Sequence, residues 1–394
     1  MIKIQMKKKI VITIYILSLL FSLNYTYAEE STKGSNENDV NKNVSESYEL
    51  DEYVSVLDEY VQNSGVDGIN IRNISEDLIN NKGISYDTLI AKIISVFSNE
   101  LMIAIKGAIT IYIIIVLMAI INSLELEKGS DITKIAHLVC FLTLSTVAIG
   151  TFLEVISLFK SIIVTLTTIM QIVSPFLMAI LISTGAITST GIIQPLLLFI
   201  ASAIGFLINY IVVPFFCISV AFNVICSISE NLRLDKLSKM FPSLALWITG
   251  IALTFFLGVL SIETSLTATV DSLGVKTTQA AVSNFVPVVG KFFSDSFETV
   301  VGATKIIGRV GGTVGIVTMI IVAIIPIMKI ASIMGVYSLL SALIEPIYAD
   351  DTVIKYISRF AGVYKTLLGI LIGVIILFVI STGIILNLAS SVVT

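Results

Sequence analysis

The sequence predicts an all-α polytopic membrane protein. It has about eight transmembrane helices and two proline-broken, re-entrant hairpins in an inverted repeat, behind a small exported helical N-terminal region. Three observations carry this reading. First, only 13% of the 394 residues are charged and 56% are hydrophobic, at a mean hydropathy of +0.98. A soluble protein carries roughly a quarter charged residues, so there is too little charge here to coat a water-facing surface. Second, apolar runs long enough to cross a bilayer recur from residue 101 onward. Third, Pro175 and Pro214 stand 39 residues apart, and so do Pro287 and Pro326. The formal net charge is −4 and no cluster of Lys and Arg forms a footprint for phosphates, so nucleic-acid binding is not expected.

Residues 1–28 read as a signal peptide. Lys3, Lys7, Lys8 and Lys9 precede the apolar run Ile10 to Leu23, and Thr26-Tyr27-Ala28 has the small-x-small cleavage pattern. Residues 29–100 form an exported acidic region, with 5 basic and 14 acidic side chains between 29 and 99. Its first part, 29–47, has no apolar period and is expected to be unstructured. From Leu50 the spacing of Tyr53, Val54, Leu57 and Val61 predicts a one-sided helix with an acidic back. A short helix is expected from Ser75 to Asn81, and a third, capped by Ser85, runs through Leu89 and Phe97 towards the membrane.

Residues 101–134 hold the first transmembrane helix and its loop, 135–243 the first repeat unit, and 244–347 the second. Residues 348–394 form an amphipathic connector and the last span. Spans are expected near 101–124, 135–159, 192–211, 212–228, 244–263, 312–328, 330–347 and 366–388. The hairpins are 162–190, broken by Pro175 and Gly185, and 275–303, too polar to face lipid. Three crossings per unit would invert the second unit relative to the first, a plan common in secondary transporters. In that arrangement, loops 125–134, 264–311 and 348–365 are cytoplasmic and carry nine basic residues, against five outside. Between the units, residues 232–240 predict a short interfacial helix, with Trp247 at interface depth.

Little in the chain suggests catalysis. There is no HExxH, GxSxG or phosphate-cradling GxxxxGK[ST], and the single His137, at the start of a span, has no acidic neighbour at ligand spacing. Cys140, Cys217 and Cys226 lie inside apolar runs, at no metal-ligand spacing. Neither enzyme activity nor a cofactor nor a metal is expected. Ionisable residues at membrane depth are stronger leads, and Glu154 and Glu263 end corresponding spans of the two units. With the hairpin residues Pro175, Asn284, Pro287, Gly290 and Asp295 they make up the expected functional core. Gly308, Gly311 and Gly315, with Gly369 and Gly373, are expected to bring helix backbones close, either within the chain or between copies of it.

The second hairpin carries a resemblance. Asn284-Phe285-Val286-Pro287-Val288-Val289-Gly290-Lys291, then Phe293-Ser294-Asp295 and Thr299-Val300, resembles the signature stretch of the stage III sporulation protein AE family of endospore formers. Ser174-Pro175, Gln194-Pro195, Pro214 and Leu257-Gly258-Val259 support it. The resemblance implies a multi-pass protein of the mother-cell membrane. Its implied partners are the sister stage III proteins and a forespore membrane protein, with which it builds a channel, or feeding tube, needed for sporulation. It would act there as channel subunit or scaffold, with residues 29–100 in the space between the membranes. No catalytic residue is implied. Read from the residues alone, the alternative is a gradient-driven transporter of small solutes, suggested by the inverted repeat and by Glu154 and Glu263.

Overall fold

The computed structural model describes residues 48–66, 69–80, 86–123, 131–228, 235–285, 290–347 and 351–391. The expected signal peptide and the stretch 29–47, Pro287, and the side chains of Asn284 and Asp295 lie outside what it describes. The helices are α1 (Tyr48–Asn63), α2 (Ile71–Ile79), α3 (Tyr86–Ser123), α4 (Asp131–Ser183) and α5 (Ile187–Leu207). A π-helical turn, Ile208–Val212, leads into α6 (Val213–Ile228), followed by α7 (Asp235–Phe285), α8 (Gly290–Ile344) and α9 (Asp351–Ser391). There is no strand among the described residues.

The N-terminal pair forms as its periodicity requires. Leu50, Tyr53, Val54, Leu57 and Val61 are buried along one face of α1, while Asp51, Glu52 and Glu59 are exposed. Asn70 caps α2 by accepting from the Asn73 amide at 3.2 Å, and Asp58 of α1 accepts from the Ile71 amide at 2.7 Å. Two of the orphan donors at the start of α2 are thereby satisfied.

Six helical stretches are long and apolar enough to cross a membrane: Ala91–Ile121, Ile135–Ser183, Ile187–Ile228, Lys236–Leu273, Ile306–Ile344 and Thr352–Leu388. About 20 residues suffice for a hydrocarbon core of about 30 Å, so these runs of 31 to 49 residues exceed the need. The central helix is α8. It packs along α9, α3 and α4 and carries α1 and α2. By contrast α7 is peripheral, with 17% of its most apolar stretch buried against 56% for α8.

The first hairpin is not broken at its proline. Pro175 stands inside the unbroken α4, and the chain reverses only after Ser183. In a membrane bundle, neighbouring helices and hydroxyls compensate for the amide that proline lacks. Gly185, at φ +90°, makes the reversal, with the Ala186 amide donating to Leu181 O and the Gly185 amide to Ile182 O. This is a Schellman cap, and its left-handed position is one that glycine takes without strain. Likewise, the spans expected at 192–211 and 212–228 are one continuous run. Pro214 cannot donate to the carbonyl four residues back, and the helix widens into the π turn, where the Val213 amide donates to Ile208 O. The expected interfacial helix at 232–240 is, from Asp235 on, the opening of α7.

Each repeat unit thus holds two long helices, α4 with α5–α6 and α7 with α8. Tyr53 of α1 donates to Gly311 O of α8 at 3.0 Å, which places the start of α8 on the same side as α1. By this contact the end of the stretch 264–311 lies beside α1.

Candidate functional site

The glycines of α8 form a seat on which three other helices rest. A Cβ on Gly311 would collide with the Phe176 ring of α4, and one on Gly312 with Leu386 of α9. At Gly308 it would lie 2.6 Å from Ile180, and at Gly315 2.9 Å from both Val173 and the Tyr53 hydroxyl. Small residues let backbones approach where lipid supplies no hydrophobic drive. Into this seat α1 inserts Tyr53, whose ring stacks on Phe176 with centroids 4.0 Å apart and planes at 10°. Burial pushes the Tyr53 hydroxyl pKa up, so it stays a neutral donor to Gly311 O. Further along, a Cβ on Gly65 would lie 3.4 Å from Ile325, so the module of α1 and α2 follows α8 for about four turns. On α9, a Cβ at Gly373 would lie 2.9 Å from Leu253 and one at Gly369 4.0 Å from Leu246, so these glycines face α7.

A second polar joint sits where α4 turns into α5. Ala186, at the N-cap, makes no side-chain cap, and the buried carboxylate of Asp271 on α7 takes over. It accepts from the Thr188 amide at 3.0 Å and the Ser189 amide at 2.8 Å. A carboxylate at a helix N-terminus satisfies orphan amides and complements the dipole. No motif in the sequence marks out Asp271. The signals were an α5 that opens on Ile-Thr-Ser-Thr after a glycine and a lone acid in a Ser/Thr-rich run, 82 and 83 residues away from the amides it binds.

Glu154 does not meet Glu263. It is paired instead with Lys329 of α8, Oε1 to Nζ at 2.6 Å, on an exposed flank between α4 and α8. Glu263 lies on α7 two turns before Asp271, half-buried, its main-chain carbonyl accepting from Thr267. At the far end of the bundle, Arg359 of α9 donates to Asn223 Oδ1 at 2.9 Å, and Asn223 Nδ2 donates to Tyr356 O at 3.2 Å. Below that clasp, Phe141, Tyr356, Phe360, Tyr364 and Tyr337 interlock edge-on or tilted, with centroids 5.1–6.2 Å apart. Of the expected core, Pro175 lies inside α4 one residue from Phe176, and Gly290 opens α8. No three or more His, Cys, Asp or Glu side chains group as a metal site among the described residues.

Long apolar helices fixed on a glycine seat, tied by a carboxylate cap and a polar clasp, define a multi-pass, all-helical membrane protein. Residues 69–389 match the family described as stage III sporulation protein AE, and the chain belongs to that family. It is similar to the stage III sporulation protein AE of Bacillus subtilis (strain 168), at 26% identity over 220 residues. That alignment covers 56% of this chain and spans about half, 55%, of the relative's own length. No solved structure matches the chain. Its role accordingly lies in sporulation, at a membrane.

Proposed function

We propose that the protein is a membrane component of the channel, or feeding-tube, complex between mother cell and forespore, acting as channel subunit or scaffold. Its partners are the sister stage III proteins and a forespore membrane protein. The observation that carries this reading is the seating of the α1–α2 module on the α8 glycines, in a chain of a sporulation family. A docked module offers neighbouring proteins a fixed surface, where a tethered one would present a mobile surface. The transporter alternative rested on Glu154 and Glu263 as a matched pair, and Glu154 meets Lys329 of α8 instead. Affinity purification of the full chain from sporulating cells is expected to bring down sister stage III proteins. Recovery of the chain alone would overturn the reading.

The module faces the intermembrane space in this proposal, with the chain in the mother-cell membrane. Six single crossings then place the connections after α3, α6 and α8 in the cytoplasm, flanked by Lys128, Lys134, Arg233, Lys236, Lys239, Lys355 and Arg359. The opposite side has Lys82 and Lys92 around the start of the first span and Lys276, Lys291, Lys305 and Arg309 around the connection from α7 to α8, so seven basic residues stand against six, a slight bias towards this orientation. A cysteine introduced by Lys239→Cys is expected to react with impermeant thiol reagents only from the cytoplasm, and one introduced by Asn63→Cys only from outside. Reaction of both from one side would refute the topology.

A further inference from the structure

A buried hydroxyl is costly unless it finds a partner, and the interface of α4, α8 and α9 gathers several that have none within the chain. Tyr356 and Tyr364 of α9, Tyr337 of α8 and Ser145 of α4 are all buried. The hydroxyl of each makes no hydrogen bond to another described residue. The rings fix how these groups lie together. Phe360 of α9 stands 5.1 Å from the Tyr356 ring and 6.2 Å from the rings of Tyr337 and Tyr364. Tyr337 and Tyr364 are themselves 5.2 Å apart, edge to face. Three phenols thus surround one apolar ring.

The hydroxyls face other polar groups without bonding them. Tyr356 turns its hydroxyl towards Ser145, and Tyr337 turns its own towards Thr151 of α4 and towards Tyr364. Ser145 also departs from the hydroxyls beside it on α4. Thr143, Thr146 and Thr151 each donate to the carbonyl four residues back, which satisfies a hydroxyl inside its own helix. Ser145 makes no such bond, and its donor is left for the interface. Phenylalanine would fill a dry interface equally well, whereas a buried phenol normally has a partner.

Each of these hydroxyls has one proton to donate and lone pairs to accept with. Polar groups that face one another beyond direct bonding distance are those that a bridging water joins, and a buried water makes about three such bonds. A route in from solvent lies at the edge of the group. The exposed Glu154, paired with Lys329, is within electrostatic reach of Tyr364. We propose that the α4–α8–α9 interface holds a buried water site, in which ordered water is bound by the hydroxyls of Tyr337, Tyr356, Tyr364 and Ser145 and exchanges with solvent past the Glu154–Lys329 pair. The site belongs to the bundle itself and does not rest on the partners proposed above.

The test is X-ray radiolysis of the full chain, purified in detergent and placed in water enriched in heavy oxygen, with oxidation read by mass spectrometry. Radicals formed from a bound water oxidise the side chains beside it, however deeply these are buried. Phe159 and Phe216 are as buried as the three tyrosines and serve as dry references. Tyr337, Tyr356 and Tyr364 are expected to take up heavy oxygen, while the two references stay unlabelled. Replacing all three, as Tyr337→Phe, Tyr356→Phe and Tyr364→Phe together, removes the phenol hydroxyls with little change in volume, and the label at these positions is expected to be lost. Tyrosines as inert as the references would overturn the proposal. So would a label that persists in the triple variant, because bulk solvent would then be reaching the rings through opening of the bundle. Tyr364→Phe alone gives a second reading that does not need the triple variant to fold. Its melting temperature is expected to fall, since a bound water loses a partner. A rise, the response to deleting a hydroxyl that had no partner at all, would overturn the proposal equally.

Discussion

Replacing Gly311 by leucine is expected to detach the N-terminal module from the membrane bundle. Even a single Cβ at this position collides with the Phe176 ring, and that ring is the platform on which Tyr53 stacks. The ring cannot swing aside freely, because Phe176 is wedged between α8 and α1, with Ile180 and Val173 seated on Gly308 and Gly315 one turn to either side. Overpacking of a tight core costs about 1–3 kcal/mol, and losing the Tyr53 hydrogen bond adds about 1 kcal/mol. Because α1 and α2 are short helices held by tertiary packing rather than by propensity, the sum is enough to release them. Limited proteolysis of the purified protein should then cut between residues 48 and 80 while the membrane helices survive, and the melting temperature should fall. Gly311→Ala should show the same defects more weakly. A Gly311→Leu protein that kept its module protected would mean that the seat yields more readily than its packing implies.

Much of this arrangement was legible in the residues. The shortage of charge identified the membrane, the i, i+3, i+4, i+7 spacing from Leu50 identified α1 with its acidic back, and Gly308, Gly311 and Gly315 were recognisable as a close-packing ridge. What the ridge packs against was not, since Tyr53 lies 258 residues from its acceptor. Proline misled for a physical reason. In water a proline such as Pro175 argues for a break, but in a bundle the freed carbonyl is covered by neighbours and the helix continues. The repeat in proline spacing was therefore read as hairpins, although the reversal belongs to Gly185. Acids were harder still. Glu154 and Glu263 looked equivalent by position, yet pairing depends on which helix lies alongside, and Lys329 is 175 residues from Glu154.

Removing the Asp271 carboxylate is expected to be the most damaging change on α7. In Asp271→Ala the amides of Thr188 and Ser189 lose their acceptors in a buried site. Hydrogen bonds to a charged group are worth about 1.5–3 kcal/mol each, and α5 has no side-chain cap of its own to substitute. A loss of about 3 kcal/mol is expected, read as a large drop in melting temperature in detergent and in accumulation in the membrane. Asp271→Asn keeps an acceptor but gives up the charge at the helix terminus, so it should recover about half of the loss. An alanine variant as stable as the parent would show that water replaces the carboxylate, and α7 would then not be tied to the α4–α5 turn.

The π turn at Ile208–Val212 has a geometric consequence. Along α5 the buried positions Ile193, Leu197, Ile200, Ile204 and Ile208 trace one stripe, and across the turn Val212, Phe216 and Val220 continue it at steps of four. At about 100° per residue, an unbroken α-helix would rotate Phe216 by about 120° away from the line of Ile204. The single additional residue in the turn absorbs most of that rotation. It acts as a phase reset, letting one 42-residue rod keep the same face inward at both ends, towards Asp271 of α7 at one and, through Asn223, towards Tyr356 and Arg359 of α9 at the other. Deleting one residue between 208 and 212 would leave the helix apolar and continuous, yet turn one half of the rod outward relative to the other.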